Sequence, residues 1–273
     1  MKLTQYERRQ IREIKSWKAE EPSIVSAAFG VLFSPATWLL SKLIPIAAIR
    51  GALDFSSSIA EWLTDTQDLV RDAGVNSIAD LRSLSLETSD ALADSVHNWA
   101  IGFATTEGAA TGAGGAFGIA ADIPAIITIA LRTIHKIGAC YGFEVQTKTD
   151  RDFVLAILAT SSSNDMKEKV AALLLLRSIE ASIMKQTWKG MAQQAGRQTL
   201  GREAGIIAVK TLAAQLGINL TKRKALQAIP AIGAIVGASV NGWYIKEVGW
   251  AARRMYQERW LAEGGRLAEP IEA

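Results

Sequence analysis

Glu87, Asp90, Asp94 and His97 stand at offsets of 0, 3, 7 and 10, the spacing that puts side chains on one face of a helix. Carboxylate oxygens and an imidazole nitrogen so placed are ligands for a divalent metal, which makes Asp90, Asp94 and His97 the metal candidates of the chain. An acidic stripe of this kind is also the ordinary pattern of a solvated helix face. The second polar set is Asp122, Arg132, His135 and Asn241. Asp122 is the only charge between Glu107 and Arg132, and an ionisable residue among apolar, small residues is a functional candidate where the surroundings are dry. Arg132 and His135 follow it at offsets of 10 and 13, which do not bring the three side chains together without a fold. Asp122 has a plainer reading as well: with Pro124 two residues on, it suits the N-terminal cap of a helix.

The usual catalytic signatures are missing. His97 and His135 are the only histidines and Cys140 the only cysteine, and the chain has no H-E-x-x-H, C-x-x-C or Walker-type loop. The run Gly112 to Gly118 looks superficially like a phosphate loop, but no Lys-Ser/Thr follows it and no strand precedes it. No cofactor is expected, and the residue pattern favours a non-enzymatic role. A single cysteine excludes a disulfide framework. Net charge is only +3 over 273 residues, and the basic residues do not interleave with aromatics, so nucleic acid is not an expected partner.

The elements that must carry these residues are helical. Period-two alternation is nearly absent apart from a short piece around residues 143–148, and the expected fold class is all-α, a single multi-helix domain. Residues 1–21 form a basic amphipathic N-terminal helix, with Leu3, Ile14 and Trp17 on one side and Arg8, Arg9, Arg12, Lys15 and Lys18 on the polar surface. Residues 22–262 form the helical body and 263–273 a flexible tail. Further helices are expected from 54 to 72, closed by Gly74, in a short piece behind Ser77 and Asp80, and from Leu86 to about Thr105. Thr149 with Asp152 and Asn164 with Asp165 mark two later starts, the second opening a run to about Gln194. Charge scattered through the first residues does not resemble a secretory leader, which places the protein inside the cell.

With 49% hydrophobic residues and a mean hydropathy of +0.15, the chain carries an apolar surplus. Two charge-poor segments, 108–142 and 225–245, concentrate it. Their glycines recur four apart: Gly108 with Gly112, Gly114 with Gly118, Gly138 with Gly142, and Gly233 with Gly237. A glycine costs roughly 1 kcal/mol in a helix relative to alanine. Close backbone approach between two helices is the natural compensation. The segments suit a packed protein core, a bilayer span, or an element that docks on lipid conditionally. Lys222, Arg223 and Lys224 and then Arg253 and Arg254 flank the second one, either as solvated surface or as contacts to an anionic membrane face.

The order of these features, from Gly108–Gly118 through Ala121-Asp122-Ile123-Pro124, Arg132, His135, Tyr141-Gly142 and Arg151-Asp152, then Ile229 to Ala234, Asn241 and the helix 251–256, resembles the EcsC family of bacterial proteins from about residue 20 to 262. The resemblance implies an accessory or regulatory role linked to an ABC transporter, with no established reaction and no catalytic list. The function expected is a non-enzymatic helical protein, peripheral at the inner membrane face, with a lipid surface or a membrane protein complex as partner. Two alternatives stand beside it: an enzyme with a buried polar or metal site near Asp122, and an effector whose two segments insert into a bilayer.

Overall fold

The computed structural model describes residues 2–22, 66–112, 115–163, 165–190, 219, 230–267 and 270–272. The fold is all-α, and the described residues contain no strand. The α-helices are α1 (Gln5–Ala19), α2 (Gln67–Ala73), α3 (Leu86–Gly112), α4 (Gly115–Cys140), α5 (Lys148–Ser161), α6 (Met166–Gly190) and α7 (Pro230–Glu263), with a 3-10 helix (Ile78–Ser83) ahead of α3.

Local chemistry sets most of the starts. The Thr4 hydroxyl accepts from the Glu7 N–H at 3.1 Å while the Thr4 N–H donates to Glu7 at 2.7 Å, a reciprocal capping box. For α5 the sequence offers two such boxes, because Thr147 and Thr149 each have an aspartate three residues on. The expected one, Thr149 with Asp152, is not used. Thr147 caps, with Asp150 answering, since Asp150 at that position also meets Arg259 at 3.1 Å, and Asp152 is left to pair with Lys148. Ser77 does bond Asp80, but side chain to side chain, and a 3-10 helix follows. Gly74 closes α2 with φ +66, as expected; residues 54–65 lie outside the described ones.

The core is a layer of three long helices. Pairings 90 with 257, 97 with 246 and 107 with 241 run in opposite directions, so α3 and α7 are antiparallel. Helix α4 returns antiparallel to α3 and parallel to α7, with Asp122 beside Asn241 and Gly138 beside Tyr256. Ile123, Ile126, Ile127, Leu131 and Ile134 of α4 meet Tyr244, Ile245 and Val248 of α7 in one apolar cluster, to which α5 adds Phe153 and Ile157. The hairpin of α5 and α6 covers one side of this layer, and α1 lies on α7.

Three sequence expectations change. Asp122 is not a cap: α4 begins at Gly115 and runs through Pro124, so the aspartate sits mid-helix with its side chain buried. Arg253 and Arg254 are not solvated, and neither is Lys18, because carboxylates and amides of other elements draw them inward. The last residues are not a free tail, since Arg266 meets Glu7 at 2.8 Å and the Ile271 carbonyl accepts from Lys18. Gly108 is buried in α3; of Gly112, Gly118, Gly233 and Gly237 only the helical backbone is described, and Gly114 and residues 222–224 lie outside the described residues.

Glycines elsewhere set the helix spacing. A Cβ on Gly138 would stand 2.5 Å from the Tyr256 ring, and one on Gly249 would run into the His97 imidazole. Tyr256 cannot yield easily, because it is buried and stacked with Tyr141 and Phe143. Gly138→Ala is therefore expected to lower stability by about 1–3 kcal/mol through overpacking. Gly102→Ala, in open space on α3, should raise it by about 0.5–1 kcal/mol. Urea unfolding of the two variants checks the opposite signs.

Candidate functional site

A buried polar cluster lies where α1, α3, α7 and the turn after α4 meet. Asp90 is only 2% exposed. Its carboxylate accepts from the hydroxyls of Tyr6 at 2.6 Å and Tyr141 at 2.5 Å, and from the Gln257 amide at 2.8 and 2.9 Å. A buried carboxylate needs such donors in place of water. Gln257 also donates to Gln10 at 3.2 Å, and its carbonyl accepts from Arg254 at 3.0 Å; Arg254 reaches Gln10 at 2.8 Å and Glu13 at 2.7 Å. Burial raises the phenols of Tyr6 and Tyr141 above their ordinary value, with Asp90 adding to the rise, so both stay protonated as donors.

Along the same seam, His97 is buried with Nε2 3.0 Å from the Lys246 carbonyl oxygen, which makes that nitrogen the protonated one. Burial, and next the Arg253 guanidinium, hold its pKa below the usual value. Trp250 meets His97 edge-on and carries Arg253 and Arg254 over its ring at 4.6 and 5.2 Å. Arg253 also bonds Asp94. The four residues of the expected acidic stripe thus divide: Glu87 and Asp94 are exposed, while Asp90 and His97 are core. Among the described residues no three or more histidine, cysteine, aspartate or glutamate side chains are grouped to hold a metal ion.

The second polar set also divides. Asp122, fully buried, accepts from the Asn241 amide at 2.9 Å, and the same nitrogen donates to Glu107 at 2.8 Å. The buried Oδ1 of Asn241 has no hydrogen-bond partner. Arg132 is exposed, and His135 turns its Nδ1 to the Leu131 carbonyl of its own helix at 2.7 Å, with a pKa lowered by burial. Cys140 is buried with its thiol on the Lys136 carbonyl, and burial pushes its pKa up. The site's chemistry is therefore recognition of hydrogen-bond donors by buried carboxylates, with no nucleophile poised beside a base among the residues named here.

Sequence reasoning missed Tyr6, Gln10, Arg254 and Gln257. A signal existed in Glu7, Gln10, Ile14 and Lys18, which recur at helical spacing as the buried face of α1, so that its inner stripe is largely polar. A periodicity scored on hydrophobicity alone passes over such a face.

The outer surface carries the complementary feature. Trp99 and Phe103, four apart on α3, are 60% and 49% exposed and stack at 5.3 Å. Val170, Leu174 and Leu175 of α6 are also exposed.

The sequence pattern of the EcsC protein family matches residues 8–261. The chain belongs to that family. Among its curated relatives in Bacillus subtilis (strain 168), the uncharacterized protein YdbA is 24% identical over 269 residues, 93% of this chain and 92% of YdbA. Protein EcsC is 27% identical over 194 residues, 70% of this chain and 73% of EcsC. No solved structure matches. The family match takes in Gln10, Asp90, Tyr141 and Gln257 of the cluster and the Asp122–Asn241 pair, and starts just after Tyr6 and the Thr4–Glu7 capping box.

Tyr141→Phe keeps the ring and removes one donor to the buried Asp90. Such a bond to a charged group is worth about 1.5–3 kcal/mol, and the urea midpoint of the variant should fall accordingly.

Proposed function

We propose that this EcsC-family chain is a non-enzymatic accessory protein that docks at the inner membrane face or on a membrane complex, with an ABC transporter as the partner the family resemblance suggests. The observation that carries this reading is the stacked, solvent-facing Trp99–Phe103 pair on α3. Large exposed apolar groups mark interaction surfaces, and aromatic rings favour the boundary between lipid and water. Arg8, Arg9, Arg12 and Lys15 on the exposed side of α1 suit an anionic surface. Bilayer insertion is less well supported: among the described residues one stretch, Asp122–Cys140, is long and apolar enough to cross, and 61% of it is buried within the protein.

Flotation with phosphatidylserine-containing vesicles at low salt tests the lipid version. The wild type is expected to float, and Trp99→Ala with Phe103→Ala should reduce partitioning by at least about ten-fold, since each ring buried is worth about 1.5–3 kcal/mol. Wild-type protein that stays at the bottom of the gradient removes lipid contact and leaves docking on a membrane complex, read by binding to membranes with their proteins intact.

A second reading has its own observation. Two carboxylates, Asp122 and Glu107, share one Asn241 nitrogen, while the oxygen of that amide is buried and unpartnered. Turning the amide over would gather two carboxylates and an amide oxygen, ligands suited to a hard cation such as Mg2+ or Ca2+. Elemental analysis of the purified protein, repeated on Asp122→Asn, is expected to show a bound cation lost in the variant; a wild type with none sinks this reading.

A further inference from the structure

We propose that the segment after α7 is a latch: residues 264–267 and 270–272 hold α1 down on α7, and latch and helix open together, ahead of the rest of the fold, to uncover the Asp90 cluster. The latch is aimed by its own backbone. Gly265, with φ +67, closes α7, and the Arg266 N–H returns to the Leu261 carbonyl at 2.8 Å. Arg266 then lies over the Trp260 ring at 4.2 Å and meets Glu7 of α1 at 2.8 Å. Further on, the Ile271 carbonyl accepts from Lys18 of α1 at 2.8 Å, and the Ile271 N–H donates to Glu258 of α7 at 2.7 Å. Glu7 and Lys18 stand about 16 Å apart along the helix, so the latch is fastened along α1 and not at one end.

The inner face of α1 explains why it needs fastening. Ile14 is its one fully buried apolar side chain, and its other buried side chains are Glu7, Gln10 and Lys18. Leu3, Tyr6, Ile11 and Trp17 are only partly buried. Docking is therefore carried largely by charge and hydrogen bonding. Glu7 meets Arg266, Glu13 meets Arg254, Lys18 meets Glu258 and Tyr6 donates to Asp90, while Lys169 of α6 donates to the Trp17 and Glu20 carbonyls.

Such contacts gain little over water while complete, and losing one partner leaves the other desolvated. Lys18, Glu258 and Ile271 form a closed ring, with Lys18 and Glu258 2.6 Å apart. If the latch lifts, Lys18 and Glu258 each lose a partner, and Glu7, 4% exposed, loses Arg266. If α1 lifts, Arg266 and the Ile271 carbonyl lose theirs. Each element thus holds the other, whereas α3, α4 and α7 meet through the apolar cluster of Ile123, Ile127 and Val248 and do not depend on either. Opening withdraws Tyr6 from Asp90 and Gln10 from Gln257, which admits water to the carboxylate.

Amide hydrogen exchange of the full chain, read by NMR, tests the coupling. In wild type the amides of residues 11–15, the Ile271 amide and the Gln257 side-chain amide bonded to Asp90 should share one level of protection, below that of residues 126–134 of α4. Arg266→Ala and Ile271→Pro lie outside α1, yet each should lower its protection by at least about ten-fold with α4 unchanged. Lys18→Met should lower protection of the Ile271 amide by at least about ten-fold in turn, since coupling between two elements is reciprocal. Wild-type α1 as protected as α4 overturns the proposal without any variant. So does α1 protection that neither latch variant moves, or a loss that α4 shares in full.

Discussion

A carboxylate taken out of water must be solvated by the protein itself, and the four hydrogen bonds that surround Asp90 meet that requirement with groups from three other parts of the chain. Tyr6 brings α1, Tyr141 brings the turn that ends α4, and Gln257 brings α7. Each is held to a position on α3 by a directional bond, which apolar packing alone does not supply. Gly142, with φ +78 and its backbone against Arg82, lets the chain turn directly after Tyr141 has reached the carboxylate. Arg254 and Gln10 then complete the second layer of the cluster.

Helix α7 shows how one element can serve two environments. Around Tyr244, Ile245 and Val248 it packs as an apolar core helix, while from Arg253 to Glu258 it is equally buried yet polar. The burial of Arg253, Arg254, Gln257, Glu258 and Arg259 is sustained by partners from α1, α3, α5 and the last residues of the chain. Removal of one partner from such a set leaves a desolvated group behind, which is why these interactions constrain structure more than their net strength suggests.

The all-α class was legible because helix caps and 3.6-residue periodicity are local signals, and Gly74 and the Asp165 start hold as read. What escaped depends on distant partners. The choice between Thr147 and Thr149 was decided by Arg259, more than a hundred residues away. Asp90 and Asp94 are four apart on one helix and of the same residue type, and only the arrival of α7 and α1 separates a core acid from a surface one. Asp122 looked like a cap because Pro124 is easiest to place in a first turn; the helix instead tolerates the proline internally, and Asn241 takes the aspartate. The exposed Trp99–Phe103 pair had the same periodicity as a core stripe, so its outward orientation was invisible without the fold.

The antiparallel seam of α3 and α7 is tied near both ends, by Asn241 with Glu107 and by Gln257 with Asp90, and His97 with Lys246 pins it between. A helix rises about 1.5 Å per residue, so the stretch from Asn241 to Glu258 is a bar roughly 25 Å long. It cannot slide by a residue without breaking every tie, and no loop interrupts it. Events at the Glu258 end and at the Asp122 end are therefore mechanically joined: a tilt at one reaches the other as displacement of a single rigid rod.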